Sequence, residues 1–291
     1  MSGELIPSAL PGCPVGCRTK IRRRGFYRRK CDGACVQRFL CLNCGTSFSL
    51  ATGSLFFGQK KRHLSRVIFK LLVGGFSQRR IALDLQINRK TVVRKFIWMG
   101  HLAQELVRLT NAQNSKVGIV EFDDMETSVH SKLKPVSITL AVEHRTRRIL
   151  GFRVADMPAK GKLAKLSRKK YGPRKDERPL ARRALFEELK PLLAPDAVIK
   201  SDQNPHYGPD VSFHFPGHAH QTFKGRRGCV VGQGELKRGG FDPLFSLNHT
   251  CAMLRANINR LFRRTWCTTK RSDRLALHIA LYALNHNLVL I

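Results

Sequence analysis

Two aspartates, Asp123 and Asp202, are candidates for metal-dependent chemistry. Each ends a short, mostly apolar segment of the kind that forms a buried strand, residues 118–122 before Asp123 and residues 197–200, then Ser201, before Asp202. Carboxylates are the ligands that hard divalent cations such as Mg²⁺ or Mn²⁺ prefer. Two such ions can activate a water or a 3′ hydroxyl and stabilise the leaving oxygen of an in-line phosphoryl transfer. The competing interpretation is that both aspartates cap turns at strand ends.

Cysteine pairs near the amino terminus form a second set of candidate ligands. Six of the nine cysteines fall between Cys13 and Cys44. The spacings Cys13-x3-Cys17 and Cys41-x2-Cys44 can supply four thiolates to a tetrahedral zinc ion. About 30 residues bury too little apolar surface to fold alone, so the metal would have to contribute folding energy. We therefore predict a zinc ribbon over residues 1–58.

Between the two pairs, residues 25–27 and 36–40 predict the two strands of a hairpin. Cys31 and Cys35 lie near its turn and leave several interpretations open. One of them could replace Cys17 as a ligand, they could bind a second metal, or they could be reduced thiols.

The next segment, residues 59–112, has the pattern of a helix-turn-helix. Apolar residues at three- and four-residue spacing from Leu64 to Leu72 predict a helix that ends at Gly74-Gly75. Ser77 and Asn88 are candidate N-caps of two further helices. The last helix is predicted to direct Arg89, Lys90, Thr91, Arg94 and Lys95 outward, a basic face that suits the major groove of DNA. The alternative is a solvated charged helix in a bundle.

The remainder, residues 113–291, alternates strand and helix patterns. Strands are predicted at 118–122, 136–142, 149–155 and 197–200, and helices at 181–193 and 247–264. A dense basic run covers residues 160–183. Three strands, a helix, a strand and a later helix are the order of a ribonuclease-H-like α/β fold. In that fold the strands that end at Asp123 and Asp202 are neighbours, which would bring the two carboxylates together.

The charge balance points to a polyanionic partner. The chain has 53 Lys and Arg against 20 Asp and Glu, a formal net charge of +33, and self-repulsion of this size favours binding to nucleic acid. We find neither a signal peptide nor an apolar run of about 18 residues. We therefore expect a cytoplasmic, nucleoid-associated protein that does not bind membranes, with cysteines that act as metal ligands rather than forming disulfides.

The order of zinc ribbon, helix-turn-helix and acidic strand-based site resembles the DDE-type transposases of bacterial insertion sequences that carry an N-terminal zinc ribbon. The resemblance covers nearly the whole chain. Its more specific marks are Val-Gln-Arg-Phe (36–39), Val-Glu-Phe-Asp-Asp-Met-Glu-Thr (120–127), Met-Pro-Ala-Lys-Gly (157–161), Ser-Asp-Gln-Asn-Pro (201–205) and Phe-Ser-Leu-Asn-His-Thr (245–250).

This resemblance implies that Asp123 and Asp202 are the first two catalytic acids. Most members of the family have Glu at the third position, whereas the matching segment here offers Asn248, as in a subgroup that is similar at this point. Glu235 is the competing candidate, within a flexible glycine-containing loop. Arg255, seven residues beyond Asn248 on the same helix face, could contact a DNA phosphate. For the cluster His206, His214, His218 and His220 we favour solvent exposure or DNA contact over metal binding.

The function implied is transposition. The protein would bind the terminal inverted repeats in double-stranded DNA, cleave at their ends with Mg²⁺ or Mn²⁺, and join them to a target. Cutting two ends implies at least a dimer. The alternative from another class is a transcription regulator with a zinc ribbon and a helix-turn-helix, whose large domain only dimerises or binds a ligand. An inactive transposase relic is a third interpretation.

Overall fold

The structure, a computed structural model, describes residues 11–17, 20–30, 33–52, 54–224, 241–262, 267 and 269–291. It is a mixed α/β protein whose chain divides into two compact units between Val67 and Ile68. The first unit contains an antiparallel sheet in the order β1 (Ile21–Arg28), β2 (Cys35–Cys41), β3 (Ser47–Ser49). The pairing of β1 with β2 confirms the hairpin predicted between the cysteine pairs.

The next three elements along the chain are helices: α1 (Leu64–Val73), α2 (Gln78–Asp84) and α3 (Arg89–Gln113). Both predicted N-caps are confirmed. The Ser77 hydroxyl accepts a hydrogen bond from the Arg80 amide at 3.2 Å, and Asn88 Oδ1 accepts one from the Lys90 amide at 2.8 Å. These caps satisfy amides that the first turn of a helix leaves unpaired.

The prediction that Lys95 points outward is wrong, because this side chain is only 3% exposed. Lys95 lies three residues after Val92 and four before Met99, and this spacing places all three on one helix face. That face is buried, with the Lys95 ammonium 5.8 Å from the centre of the Trp98 ring.

The α3 helix packs along α8 (Ser272–Asn285), and the two helices approach closely at Gly100. A Cβ atom built there would lie 2.7 Å from the Leu277 Cβ. The two helices can therefore approach this closely only because residue 100 has no side chain.

The second unit contains a five-stranded mixed sheet in the order β6-β5-β4-β7-β8. Its strands are β4 (Val117–Ser128), β5 (Pro135–Glu143), β6 (Ile149–Asp156), β7 (Leu193–Asp202) and β8 (Ala219–Phe223). The first three pair antiparallel, whereas β4, β7 and β8 run parallel. All four strands that the sequence predicts for this region are confirmed, each somewhat longer than its apolar run.

The helices of the sheet region differ from the predictions in three ways. The basic run contains a helix, α4 (Leu163–Tyr171), which the sequence pattern did not predict. The helix predicted at 181–193 is α5 (Arg178–Leu189), followed by a single 3-10 turn. The helix predicted at 247–264 is α7 (Phe245–Asn257); it ends early because Ile258 takes an extended conformation. The short α6 (Tyr207–His214) completes the set.

Alternation along β4 divides the helices between the two faces of the sheet. Val120 and Phe122 belong to an apolar cluster with Phe186 of α5 and Tyr207 of α6. Glu121, between them in sequence, points to the other face, where its carboxylate accepts a hydrogen bond from the Leu247 amide of α7 at 2.9 Å. None of the helices in the described ranges is long and apolar enough to span a membrane.

Backbone groups of the edge strand β6 form hydrogen bonds with residues outside the sheet. The Asn287 side-chain amide accepts from the Ile149 amide and donates to the Ile149 carbonyl, both at 2.9 Å. Asn111 of α3 donates to the carbonyls of Ile149 and Leu150 at 3.0 Å. At the other end of the strand, the Glu177 amide donates to the Asp156 carbonyl at 2.9 Å.

Candidate metal centres

The parallel pairing of β4 with β7 brings Asp123 and Asp202 together. Glu121 pairs with Lys200, and the two aspartates come two residues further along their respective strands. They therefore occupy neighbouring positions at the same end of the sheet. Burial and the nearby Asp202 carboxylate raise the pKa of Asp123 to about 7. Burial and the Asp124 charge raise that of Asp202, against a 3.0 Å hydrogen bond from the Asn204 amide. A cation placed between two neighbouring carboxylates of this kind would favour their charged forms.

Asp124 is in a different environment, although it follows Asp123 directly. One of its oxygens accepts a hydrogen bond from the Thr139 hydroxyl, and the other from Arg182 Nη1 at 3.3 Å. The Arg182 side chain is 5% exposed and also donates to Asp210 at 2.7 Å. The charge of Asp124 is thus compensated within the protein, which leaves Asp123 as the candidate metal ligand.

A buried tyrosine on α6 holds the Asp123 carboxylate. The Tyr207 hydroxyl donates to Asp123 Oδ1 at 3.0 Å and accepts from the Asp124 amide at 3.1 Å. Its ring lies against Phe122, with the centroids 4.8 Å apart. Burial and the surrounding carboxylates raise the pKa of Tyr207 far above its usual value, so the hydroxyl remains a donor. Sequence reasoning missed Tyr207 and Arg182; the position of Tyr207 five residues after Asp202, at the start of a helix, was the available signal.

The first turn of α7 is anchored on the face of β4 that carries Asp123. Glu121 is two residues before Asp123 on the strand, so their side chains share a face. Glu121 is fully buried, with one carboxylate oxygen bound by the Leu247 amide and the other by His144 Nδ1. Asn248 follows Leu247 directly and is therefore brought to this side of the sheet.

The Asn248 side chain itself is exposed, and its Nδ2 donates to Asp242 Oδ2 at 2.9 Å. Its partner in the described part of the chain is thus Asp242 rather than Asp123 or Asp202. The competing candidate Glu235 lies outside the described residues.

The four histidines named from the sequence do not converge. His206 is exposed, but His214 is buried and bonds Glu187 at 3.0 Å, which corrects the expectation of solvent exposure. His218 donates to the Ala194 carbonyl at 3.3 Å, and His220 lies 2.9 Å from the Ser201 hydroxyl. The His214, His218 and His220 side chains thus have separate partners and do not form one site.

The second candidate centre is the thiol cluster of Cys13, Cys17, Cys41 and Cys44. All four sulfur atoms lie within 4.8 Å of one another, and those of Cys13 and Cys44 are 3.6 Å apart. Tetrahedral zinc with Zn–S bonds of about 2.3 Å separates its sulfurs by about 3.8 Å. Hydrogen bonds with the hydroxyl and the backbone of Thr46 lower the pKa of Cys44, which favours a thiolate. The cluster can therefore hold a metal such as zinc.

The ligand set can be assigned among the alternatives that the sequence left open. Cys17, rather than Cys35, completes the cluster. Cys35 is exposed and pairs with Arg28 at the other end of the hairpin, while Cys31 lies outside the described residues. Within the described ranges, no other group of three or more Cys, His, Asp or Glu side chains lies close enough together to share one ion.

The residues predicted to contact DNA differ in exposure. Arg89, Lys90 and Arg94 are exposed on the first turns of α3, whereas Thr91 and Arg255 are half-buried. Neither a protein-family model nor a curated protein matches the chain. The acidic pair, the thiol cluster and the charge distribution are therefore the observations on which a function has to rest.

Proposed function

We propose that the protein is a DNA transposase of the insertion-sequence type. In this proposal residues 113–291 form a ribonuclease-H-like domain that cleaves and joins DNA strands with Mg²⁺ or Mn²⁺. The observation that carries it is the placement of Asp123 beside Asp202 on neighbouring parallel strands. Burial raises both pKa values, with a further contribution from the Asp202 charge at Asp123 and from the Asp124 charge at Asp202. Such a pair is costly without a cation and suits phosphoryl transfer when one is bound.

Asp123, Asp202 and Asn248 would hold the metal. The bound ion would polarise the scissile phosphate and lower the pKa of the attacking water or 3′ hydroxyl. Asp123 must lose its proton to act as a ligand, while Tyr207 keeps the carboxylate oriented. Asn248 would contribute its amide oxygen, a neutral ligand, from the helix turn that Glu121 anchors.

DNA recognition would lie in the helix-turn-helix that we assign to residues 59–112. The exposed Arg89, Lys90 and Arg94, with Thr91 beside them, would contact the terminal inverted repeats in the major groove. Arg255 would bind a phosphate near the acidic site. The net charge of +33 supports a DNA partner, and two cut ends would require a homodimer or a larger assembly.

Nicking of a duplex that carries the genomic sequence flanking the gene tests the proposal. Asp123→Asn and Asp202→Asn should each reduce magnesium-dependent nicking by at least about 100-fold, because each removes a charged ligand from the transition state. DNA binding should be unchanged. Asp196→Asn is the matched control, since Asp196 is an exposed aspartate on the same strand as Asp202.

The third ligand is tested in the same assay. Asn248→Ala should reduce magnesium-dependent nicking less than either aspartate variant does, and Asn248→Asp should retain nicking activity. Loss of nicking in Glu235→Gln but not in Asn248→Ala would assign that role to Glu235. A wild-type protein that binds DNA without metal-dependent nicking would instead support a transcription regulator.

A further inference from the structure

The basic run of the sequence forms a helix whose charge is not balanced locally. No acidic residue occurs between Asp156 and Asp176. Over the same stretch, α4 and the residues just before it carry six cations: Lys160, Lys162, Lys165, Arg168, Lys169 and Lys170. A charge density of this kind needs either internal partners or an external anion.

Three of these lysines form a stripe on the outer side of α4. Ser167 is buried and its hydroxyl donates to the Leu133 carbonyl at 2.6 Å, which fixes the inner side of the helix. Residues of an α-helix advance about 100° each, so Lys162, Lys165 and Lys169 fall roughly opposite Ser167. All three are exposed.

The acids nearby are occupied by other cations. Lys160 pairs with Glu126 at 2.6 Å, Arg174 with Asp156 at 3.2 Å, and Arg178 with Asp176 at 2.5 Å. No ion pair in the described part of the chain includes a lysine of the outer stripe. The stripe therefore offers three uncompensated ammonium groups to solvent.

The stripe lies at the end of the sheet that carries the acidic pair. α4 rests on the β4–β5 hairpin through Ser167, and the Lys134 ammonium of that hairpin lies 4.2 Å from the centre of the Tyr171 ring. Lys160, just before the helix, binds Glu126 of β4. Glu126 is three residues beyond Asp123, about 10 Å along the strand.

We propose that the α4 stripe binds the phosphate backbone of duplex DNA beside the acidic pair. This inference rests on the proposed function, because it places the backbone next to the phosphate that reacts. From Lys162 to Lys169 the helix rises about 10 Å, or about three base-pair steps of one DNA strand. Leu163 and Leu166 are also exposed, but they lie only about 40° and 100° around the helix from Ser167 and so are not part of the stripe. A nine-residue helix with an all-lysine outer side suits phosphates better than a lipid surface.

The test compares two full-length variants with the same change of charge. Lys165→Gln/Lys169→Gln removes two charges from the stripe. Lys116→Gln/Lys190→Gln removes two at the opposite end of the sheet, where Lys116 precedes β4 and Lys190 precedes β7. Binding of each variant to a fluorescent 30-base-pair duplex of random sequence is measured by anisotropy across a salt series.

The stripe variant should bind at least about 10-fold more weakly at moderate salt, with a slope of log K against log salt smaller by about 2, because two phosphate contacts are lost. The control should keep the wild-type slope. Equal salt slopes in the two variants would overturn the proposal. It would also be overturned if the stripe variant kept its DNA affinity but lost binding to phosphatidylserine vesicles. Magnesium-dependent nicking by the wild type is scored separately. If the wild type nicks DNA but both variants have the same salt slope, only the proposed role of the α4 stripe is rejected. If the wild type does not nick DNA, the transposase assignment itself is rejected.

Discussion

Two consecutive aspartates on one strand have opposite surroundings. Side chains alternate across a strand, so Asp124 faces α5 while Asp123 faces the side on which α7 packs. Asp124 is paired with the buried Arg182, whereas Asp123 lies beside the Asp202 carboxylate. The cost of burying charge therefore falls on Asp123 and Asp202, and a bound cation would remove it.

This cost should be measurable as a pH dependence of stability. The pKa of Asp123 is about 7 in the folded protein and about 4 in an unfolded chain. The folded state therefore keeps a proton that the unfolded state has lost. The stabilising contribution of the protonated group is complete below about pH 4 and lost as the pH rises to about 7.

Asp123→Asn cannot titrate, so we expect it to raise the free energy of unfolding at pH 8 in magnesium-free buffer by on the order of 2 kcal/mol, allowing for partial exposure. At pH 5 the difference should be much smaller. Urea unfolding at the two pH values measures it. Asp124→Asn is the control and should destabilise at both, because it removes a partner of the buried Arg182. An Asp123→Asn protein less stable than wild type at pH 8 would contradict the prediction.

Among the elements, α3 and α8 pack closely against each other. Gly100 faces Leu277 with no room for a methyl group. Overpacking a well-packed contact usually costs 1–3 kcal/mol.

We therefore expect Gly100→Ala to lower the free energy of unfolding by about 1–3 kcal/mol, despite the better helix propensity of alanine. Urea unfolding of the full chain measures the change. Gly118→Ala on β4 is the control, because a Cβ atom there meets no atom within 4 Å. A stabilised Gly100→Ala protein would show that the helices separate easily.

The sequence predicted those elements whose local pattern agrees with their tertiary surroundings. The four sheet strands have mostly β-branched or apolar runs, and the two N-caps precede helices of regular spacing. α4 was missed because six cations within 11 residues concealed its helical spacing. The prediction that Lys95 is exposed was wrong because the charge of the side chain was given more weight than its position on the helix face.

The candidate ligands were predictable to a similar degree. Asp123, Asp202 and the four clustered cysteines follow from spacing and from position at strand ends. Tyr207 reaches Asp123 from 84 residues further along the chain, and Arg182 reaches the neighbouring Asp124 from 58 residues further along. The nearness of Tyr207 to Asp202 in the sequence was a local signal for the first contact, whereas no local pattern predicts the second.

At the scale of the whole molecule, the first compact unit has a small apolar core. Among its described residues, the buried cluster consists of Cys13, Phe39, Cys41 and Phe48. Two of these four are themselves candidate zinc ligands. Metal binding should therefore contribute a large part of the folding free energy of this unit.

We expect about one zinc per chain in the purified protein, measured by mass spectrometry of the metal content. Cys41→Ser should lose that zinc and make residues 20–52 sensitive to protease, because one thiolate ligand of four is removed. Cys35→Ser is the control and should retain the metal, since Cys35 is exposed and outside the cluster. Full zinc content in Cys41→Ser would exclude the assigned ligand set.

The side-chain amides on β6 have a consequence for self-association. An edge strand with unpaired backbone groups is a template on which another chain can add a strand and begin to aggregate. Asn287 occupies both backbone groups of Ile149, and Glu177 occupies the carbonyl of Asp156 at the other end. Both ends of this edge are thus closed to an incoming strand. A dimer formed on DNA would have to use some other surface than strand addition at these two points.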